Sequence, residues 1–239
     1  MNKRVRAIIL ELKTHAPFTL FGALTGIFCM IIFRNIEHDT SEKVFYVFHP
    51  AHVLLSAMVT AAMFKLHSVK RNFILIVIVA IAGSIGISTL SDSVIPYIGE
   101  LLLGMDVDVH DHGDEHTQTH KNEADAEPGF AEEAHIGFIE GWYIVFPAAI
   151  VGALIAYFRP RTKFPHAGHV LLSTWASSFH MLMAFSGNLP PARLAGSFVF
   201  LFLAVWLPCC IGDIVLPLLF VHAPDGICCH HGGHKEAEQ

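Results

Sequence analysis

The sequence predicts an all-α, polytopic membrane protein in which six transmembrane helices form two inverted three-helix repeats. Two observations predict this fold class: the chain is very apolar, and parts of it occur twice. Of its 239 residues, 53% are hydrophobic and 15% are charged, and the mean hydropathy is +0.52. A soluble domain of this size would carry more charge and shorter apolar runs.

The apolar residues lie in six continuous blocks, three in each half of the chain. With its flanks, each block can cross the roughly 30 Å of bilayer hydrocarbon as a helix. None shows the polar–apolar alternation of strands in a membrane barrel. The third and sixth blocks continue beyond one crossing, which predicts broken or extended helices, with breaks near Asp92 and between residues 208 and 213. The blocks are 18–33, 44–64, 73–90, 136–158, 164–185 and 194–221.

An internal repeat divides the chain. The segment His-Pro-Ala-His-Val-Leu-Leu-Ser at 49–56 returns as His-Ala-Gly-His-Val-Leu-Leu-Ser at 166–173, with six of eight positions identical. An acid inside an apolar run follows each copy, Asp92 in the first and Asp213 in the second. Repetition of this kind indicates the architecture directly. The predicted regions are a first repeat at 1–104, an acidic His-rich disordered loop at 105–134, a second repeat at 135–222 and a Cys/His-rich tail at 223–239.

The distribution of basic residues predicts the orientation. Eleven of the 15 Lys and Arg residues flank the blocks on one side. Positive charge stays on the cytoplasmic side of a membrane, so we expect a multi-pass protein of the inner (plasma) membrane with both termini cytoplasmic. A repeat of three spans has an odd number of crossings. The second copy must therefore be inverted relative to the first, as in many secondary transporters.

Ionisable side chains occur inside the predicted spans, where a charge costs about 2.5–3.5 kcal/mol or more and usually faces a cavity or a partner. Two histidines three residues apart and an acid on a facing helix suit a divalent transition metal, Zn²⁺ first, with Ni²⁺, Co²⁺, Fe²⁺ and Mn²⁺ as alternatives. The histidines could instead bond a neighbouring helix, and each acid could cap a helix fragment. The predicted transport and metal residues are His49, His52, Asp92, His166, His169 and Asp213, with Ser56, Ser88, Ser173, His180, Cys209 and Cys210 as additional lining.

The residue between the two histidines of each copy weakens a helix. Pro50 lies there in the first copy and Gly168 in the second. Proline removes a helical hydrogen bond, so we expect a local break that frees backbone carbonyls beside the imidazoles. We expect the first copy to form the outer-facing half of the site and the second copy the inner-facing half. The central position of His52 in its span favours a single convergent site over two sites.

Two soluble segments are predicted to bind metal as accessory sites. The loop between the repeats alternates imidazoles with carboxylates, a composition that chelates cations and cannot bury a core, although it could also be a solvated linker. The tail combines two thiols with three imidazoles, which favours a labile chelator; palmitoylation of its cysteines is the alternative. The accessory residues are His110, His112, His116, His120, Cys228, Cys229, His230, His231 and His234.

Together these features predict an integral membrane transporter of a divalent transition metal, which works by alternating access with the metal as substrate and the lipid bilayer as its surroundings. The layout of three plus three spans around a His-rich loop resembles that of bacterial nickel and cobalt efflux permeases, in layout alone, because their defining motifs are missing. The alternatives are a membrane-embedded His-box enzyme of the di-iron type and a haem-binding membrane protein. A net charge of −6 with scattered basic residues argues against nucleic-acid binding. A homo-oligomer is left open.

Overall fold

The computed structural model describes residues 3–67, 72–105, 139, 141–160, 163–184 and 190–210. All regular elements among these residues are helices, so the all-α prediction is confirmed for this part of the chain. They are α1 (Lys3–Ile32), α2 (His38–His67), α3 (Phe73–Thr89), a π-helical turn (Leu90–Val94), α4 (Ile95–Leu102), α5 (Trp142–Phe158), α6 (Lys163–Met183) and α7 (Pro191–Cys210).

Three helices are long and apolar enough to cross a membrane, namely His38–Leu66, Phe73–Leu102 and Pro191–Cys209. Two further apolar helices, Ala16–Ile32 and Trp142–Phe158, are shorter. Large apolar side chains are exposed along both of these shorter helices, as expected where a helix surface meets lipid rather than water. The chain is therefore a helical membrane protein, and the count of six spans stays a prediction.

The polar character of α6 explains why it is not among the apolar helices. It contains three histidines and four Ser or Thr residues. Within the bundle it packs against α1, α2, α4 and α7. From Ser173 to Ala184 every residue except Trp175 is buried. A helix enclosed by other helices does not need an apolar surface, because its neighbours replace the lipid.

The third helix is extended but not broken. The segment Phe73–Leu102 runs continuously, and the irregularity expected near Asp92 takes the form of the π-helical turn. The expected break beside the histidines is wrong for both copies: α2 continues through Pro50, and α6 continues through Gly168. Both helices are packed on several sides, and neighbouring helices allow a membrane helix to keep its course through proline and glycine. Pro208 lies inside α7.

The second helices of the two halves, α2 and α6, run antiparallel along each other. The Ser41 hydroxyl donates a hydrogen bond to the Phe179 carbonyl at 3.0 Å, whereas the rings of His52 and His169 lie 5.7 Å apart. As the residue number rises along α2, the number of its partner on α6 falls. The third helices follow the same rule, because Gly99 of α4 packs on Phe200 of α7. Leu103, four residues after Gly99, packs on Gly196 of α7, which lies four residues before Phe200.

The first helix of each half packs closely on the second helix of the other half. A Cβ atom added to Gly26 in α1 would lie 2.8 Å from Thr174 Cγ2 in α6. In α5, a Cβ on Gly152 would lie 3.0 Å from Ala57 Cβ in α2 and would collide with the Leu54 carbonyl. Small residues permit such close helix contacts in membranes. Ala57 and Thr174 occupy equivalent positions of the sequence repeat, so the two contacts correspond.

Candidate metal centre

Asp92 is directed to the centre of the bundle by the π-helical turn. Ser91, Asp92 and Ser93 of this turn are fully buried. A π-helical turn adds a residue to one turn of a helix and is frequent at functional sites. Here it places the Asp92 carboxylate between α2 and α6, the two helices that carry the histidine motif.

Four hydrogen bonds reach the Asp92 carboxylate. The Nδ1 atoms of His49 and His52 contact Oδ2 at 2.9 and 2.7 Å. The hydroxyls of Ser91 and Ser173 donate to Oδ1 at 2.7 and 2.8 Å. A carboxylate has about four acceptor positions, so all are used by the protein. Asp92, predicted as a metal ligand, in this structure holds the imidazoles in place, and charge-assisted bonds offset its burial.

The bonds to Asp92 fix which ring nitrogen of His49 and of His52 remains available. An ionised carboxylate only accepts hydrogen bonds, so each imidazole donates its Nδ1–H. Nε2 then carries the lone pair that a metal needs. Both Nε2 atoms are buried without a hydrogen-bond partner among the described residues. A carboxylate behind an imidazole is the usual support of a metal-binding histidine, because it sets the tautomer and raises the basicity of the ring.

Three side chains from three helices come together beside this carboxylate. One potential ligand atom each of His52, His169 and Cys209 lie within 4.8 Å of one another, and all three residues are buried. The rings of His52 and His169 are nearly parallel, with 6° between their planes. Small side-chain rotations would bring such atoms to the bond lengths of zinc, about 2.0–2.1 Å to nitrogen and 2.3 Å to sulfur. Two imidazoles and a thiolate suit a borderline or soft cation.

The other histidines of the motif flank this group of three ligands. His166 lies one turn before His169 on α6, with ring centroids 4.9 Å apart, and is half-buried. His49 is fully buried, and its ring stacks on Phe45 at 5.3 Å. His166 therefore lies towards the less buried end of the site, and His49 lies towards its closed interior.

The remaining predicted residues are placed as follows. Ser56 is buried near the centre of α2, and Ser88 is buried near the end of α3. No hydrogen bond reaches the Ser88 hydroxyl within the described part of the chain. Cys210 is the last residue of α7. Asp213 and all accessory residues of the loop and tail lie outside the described residues.

A second buried acid–base pair was not predicted from the sequence. His180 Nδ1 lies 2.9 Å from Glu100 Oε1, and both side chains are buried. The available signal was a glutamate in an apolar run, the same signal that marks Asp92. The repeat does not mark this pair, because Glu100 aligns with Val221 in the second copy and His180 aligns with Met63 in the first.

Comparison of the chain with family models, with curated proteins and with solved structures gives no match. The function therefore has to be inferred from the chemistry of the buried site.

Proposed function

We propose that this protein transports a divalent transition metal, zinc first among the candidates, by alternating access to the buried group formed by His52, His169 and Cys209. The observation that carries the proposal is the composition of this group. It takes one histidine from each copy of the repeated motif and a cysteine from α7. An ion bound there would be held by both halves of the bundle.

The proposed inverted repeat is supported by the directions of the helices. α2 runs antiparallel to its counterpart α6, and the α3–α4 helix runs antiparallel to its counterpart α7. A second copy inserted upside down would have this relation to the first. This arrangement would also place the start of α1 and the end of α7 on one side of the membrane, consistent with the proposed cytoplasmic location of both termini. The ion site then lies between the halves, where relative rocking of the two could open it to either side in turn.

The position of the site along the chain is appropriate for a transport site. His52 lies at the midpoint of α2, which spans His38–His67. Buried ionisable residues at this depth are expensive, and in membrane proteins they usually mark ion or substrate pathways. Asp92 supplies one negative charge, and a Cys209 thiolate would supply a second. Together they would neutralise a divalent cation in a medium where an uncompensated charge is costly.

The two alternatives have weaker support. A haem iron bound by two histidines leaves no role for Cys209, whose sulfur lies within 4.8 Å of candidate ligand atoms of both His52 and His169. A di-iron enzyme needs several histidines and carboxylates around two metals. In the described part of the chain, one group of three candidate ligands is found, and its only non-histidine member is a cysteine.

The proposal is tested by loading purified protein with a panel of divalent ions, measuring bound metal by elemental analysis, and measuring flux of the same ions into proteoliposomes. His169→Ala should abolish saturable zinc flux, and His38→Ala is the matched control at the start of α2, outside the site. Both variants should elute from gel filtration like the original protein. Normal zinc flux in His169→Ala would contradict the proposal, as would a purified protein that binds and moves none of the ions.

A further inference from the structure

Building on the proposed function, we propose that the buried Glu100–His180 pair is a proton-binding site that couples metal movement to a counter-moving proton. The pair joins α4 to α6 through a 2.9 Å contact between Oε1 and Nδ1. The ligand of this pair is a proton. A proton from solution adds to the carboxylate or to the ring and later leaves it, and no other bond is made or broken.

The pair is separate from the metal centre but belongs to the same two helices. Glu100 follows Asp92 by eight residues on the continuous third helix, which is about 12 Å of helical rise. His180 follows His169 by eleven residues on α6. Phe45 lies between the two sites. Its ring stacks on the ring of His49 and makes an edge-to-face contact with the ring of His180, with the two centroids 5.5 Å apart. This apolar ring keeps the two sites from sharing one ion. It also connects them, because it contacts a histidine on either side.

Hydroxyl groups line the seam between the two sites. Ser173 donates to Asp92, and one turn further along α6 Ser177 donates to the Ser91 carbonyl at 2.9 Å. His180 comes three residues later on the same buried face. Ser173, Ser177 and His180 therefore form one polar stripe that faces the π-helical turn and α4. Both sites lie at the contact between α6 and the helix formed by the π-helical turn and α4. A change of charge at one site can therefore shift these helices at the other site.

The surrounding charges favour a proton over a metal. In the part of the chain that the structure describes, no third His, Cys, Asp or Glu joins this pair to make a group of three potential ligands, whereas a structural or transported zinc ion is usually held by three or four. Without a proton the pair carries one negative charge, and with a proton it is neutral. Among the Lys and Arg side chains whose burial the structure describes, none is buried that could compensate that charge permanently. Other titratable or charged groups near this end of the surrounding helices are His49, Asp92 and Tyr97, which are buried, and Cys29, Arg34, Glu37, His38, Asp39, Glu42, Lys43, Tyr46 and Arg193, which are not. His52, His166, His169 and Cys209 of the same helices lie at the metal centre.

The sequence repeat also separates the pair from the metal centre. The metal-site histidines occur in both copies, but Glu100 and His180 each occur in one copy only, opposite Val221 and Met63. Two buried ionisable residues that each occur in one half alone are thus in contact with each other. A site that exists once per chain suits a coupling ion that drives the transporter in one direction.

The test separates zinc binding, zinc exchange and proton-driven accumulation in proteoliposomes. Glu100→Gln is the main variant, and Glu42→Gln on α2 is the matched control. In Glu100→Gln, the zinc affinity in detergent should stay within about threefold, and exchange of internal for external zinc should continue. Accumulation of zinc driven by a pH gradient should fall by about tenfold or more, in the range typical of coupling between sites. Zinc-dependent proton movement, read with a pH-sensitive dye inside the vesicles, should disappear with it.

His180→Gln and Glu100→Asp keep the test conclusive. The first should lose coupling as Glu100→Gln does, and the second, which keeps a carboxylate, should recover part of it. Full pH-driven accumulation in Glu100→Gln would overturn the inference, as would a loss of zinc affinity equal to that of His169→Ala, which would assign Glu100 to the metal site. If the original protein moves zinc without moving protons, the inference fails while the proposed transport function stands. If it moves no metal, the proposed function itself fails.

Discussion

The two copies of the histidine motif have nearly the same sequence but different surroundings. In α2 both imidazoles donate to Asp92, and the serine that ends the motif, Ser56, is buried away from it. In α6 it is the serine, Ser173, that donates to Asp92, while the rings of His166 and His169 contact each other. The Asp92 carboxylate therefore accepts hydrogen bonds from the histidines of the first copy and from the serine hydroxyl of the second copy.

Two copies of a sequence repeat can therefore make different contacts in the same structure. The second histidine of each motif reaches the same place, because His52 and His169 stack on each other. The contacts of the two copies with Asp92 differ, since this carboxylate accepts from both imidazoles of the first copy and from the serine hydroxyl of the second. A transporter with inverted halves is expected to be asymmetric in each of its states. The sequence still predicts Asp213 as the acid that would support the second copy.

The largest effect should come from His52→Ala, compared with His49→Ala within the same motif. His52 is a proposed metal ligand, whereas His49 lies behind it and supports Asp92. Loss of the ligand should weaken zinc binding by more than the roughly 10–100-fold that follows loss of a supporting group. The weakening of zinc binding caused by loss of His49 should stay within that 10–100-fold range. Competition with a chelator of known affinity measures both, and equal effects of the two substitutions would remove the distinction between ligand and support.

Asp92→Asn, with Asp39→Asn on the exposed start of α2 as its control, should have the next largest effect. An amide oxygen in the place of Oδ2 can still accept from both rings, but the amide group carries no charge. Its NH₂ would face the hydroxyls of Ser91 and Ser173, which donate to Oδ1 of the carboxylate. Zinc affinity should fall by about 10–100-fold, the cost of losing a group that orients and polarises a ligand. Titration calorimetry gives the affinity. An unchanged value would show that the four hydrogen bonds to Asp92 do not support metal binding.

Cys209→Ser should lower the preference of the site for zinc. The half-buried Cys29 on α1 provides the control Cys29→Ser. A hydroxyl is a harder and weaker ligand than a thiolate, so the preference for Zn²⁺ over Mn²⁺ should fall by about tenfold. The ratio of the two fluxes into proteoliposomes measures this preference. If Cys209→Ser keeps the original ratio, the thiol does not contact the transported ion.

The helical membrane class could be predicted from the sequence, because helices that cross a membrane are marked by long local apolar runs. The convergence of His52 and His169 also followed from the position of the motif in its span. The break at Pro50 was wrongly expected, because the helix-breaking tendency of proline is local, whereas the packing of α5 and α6 on α2 is not. The π-helical turn, the partnership of Asp92 with Ser173, and the Glu100–His180 pair depend on contacts between distant segments, which no local pattern records.

The smallest effect should come from Ser173→Ala, compared with Ser56→Ala at the equivalent position of the first copy. Ser91 still donates to the same carboxylate oxygen, so zinc affinity should fall only a few-fold. The lost buried hydrogen bond should lower the free energy of unfolding by about 1 kcal/mol. Thermal unfolding in detergent and zinc titration check the two effects. Ser56→Ala should leave zinc affinity unchanged, and an equal loss in both variants would mean that Asp92 serves the two copies alike.

The central claim is that both halves of the bundle bind one ion through His52, His169 and Cys209. X-ray absorption spectroscopy at the zinc edge tests it most directly, using full-length protein in which Cys228 and Cys229 are replaced by serine, loaded with one equivalent of zinc. We predict imidazole nitrogens at about 2.0–2.1 Å and one sulfur at about 2.3 Å. The sulfur should disappear in Cys209→Ser and remain in Cys29→Ser. A zinc ion surrounded by oxygen alone, or a sulfur signal that survives Cys209→Ser, would contradict the claim.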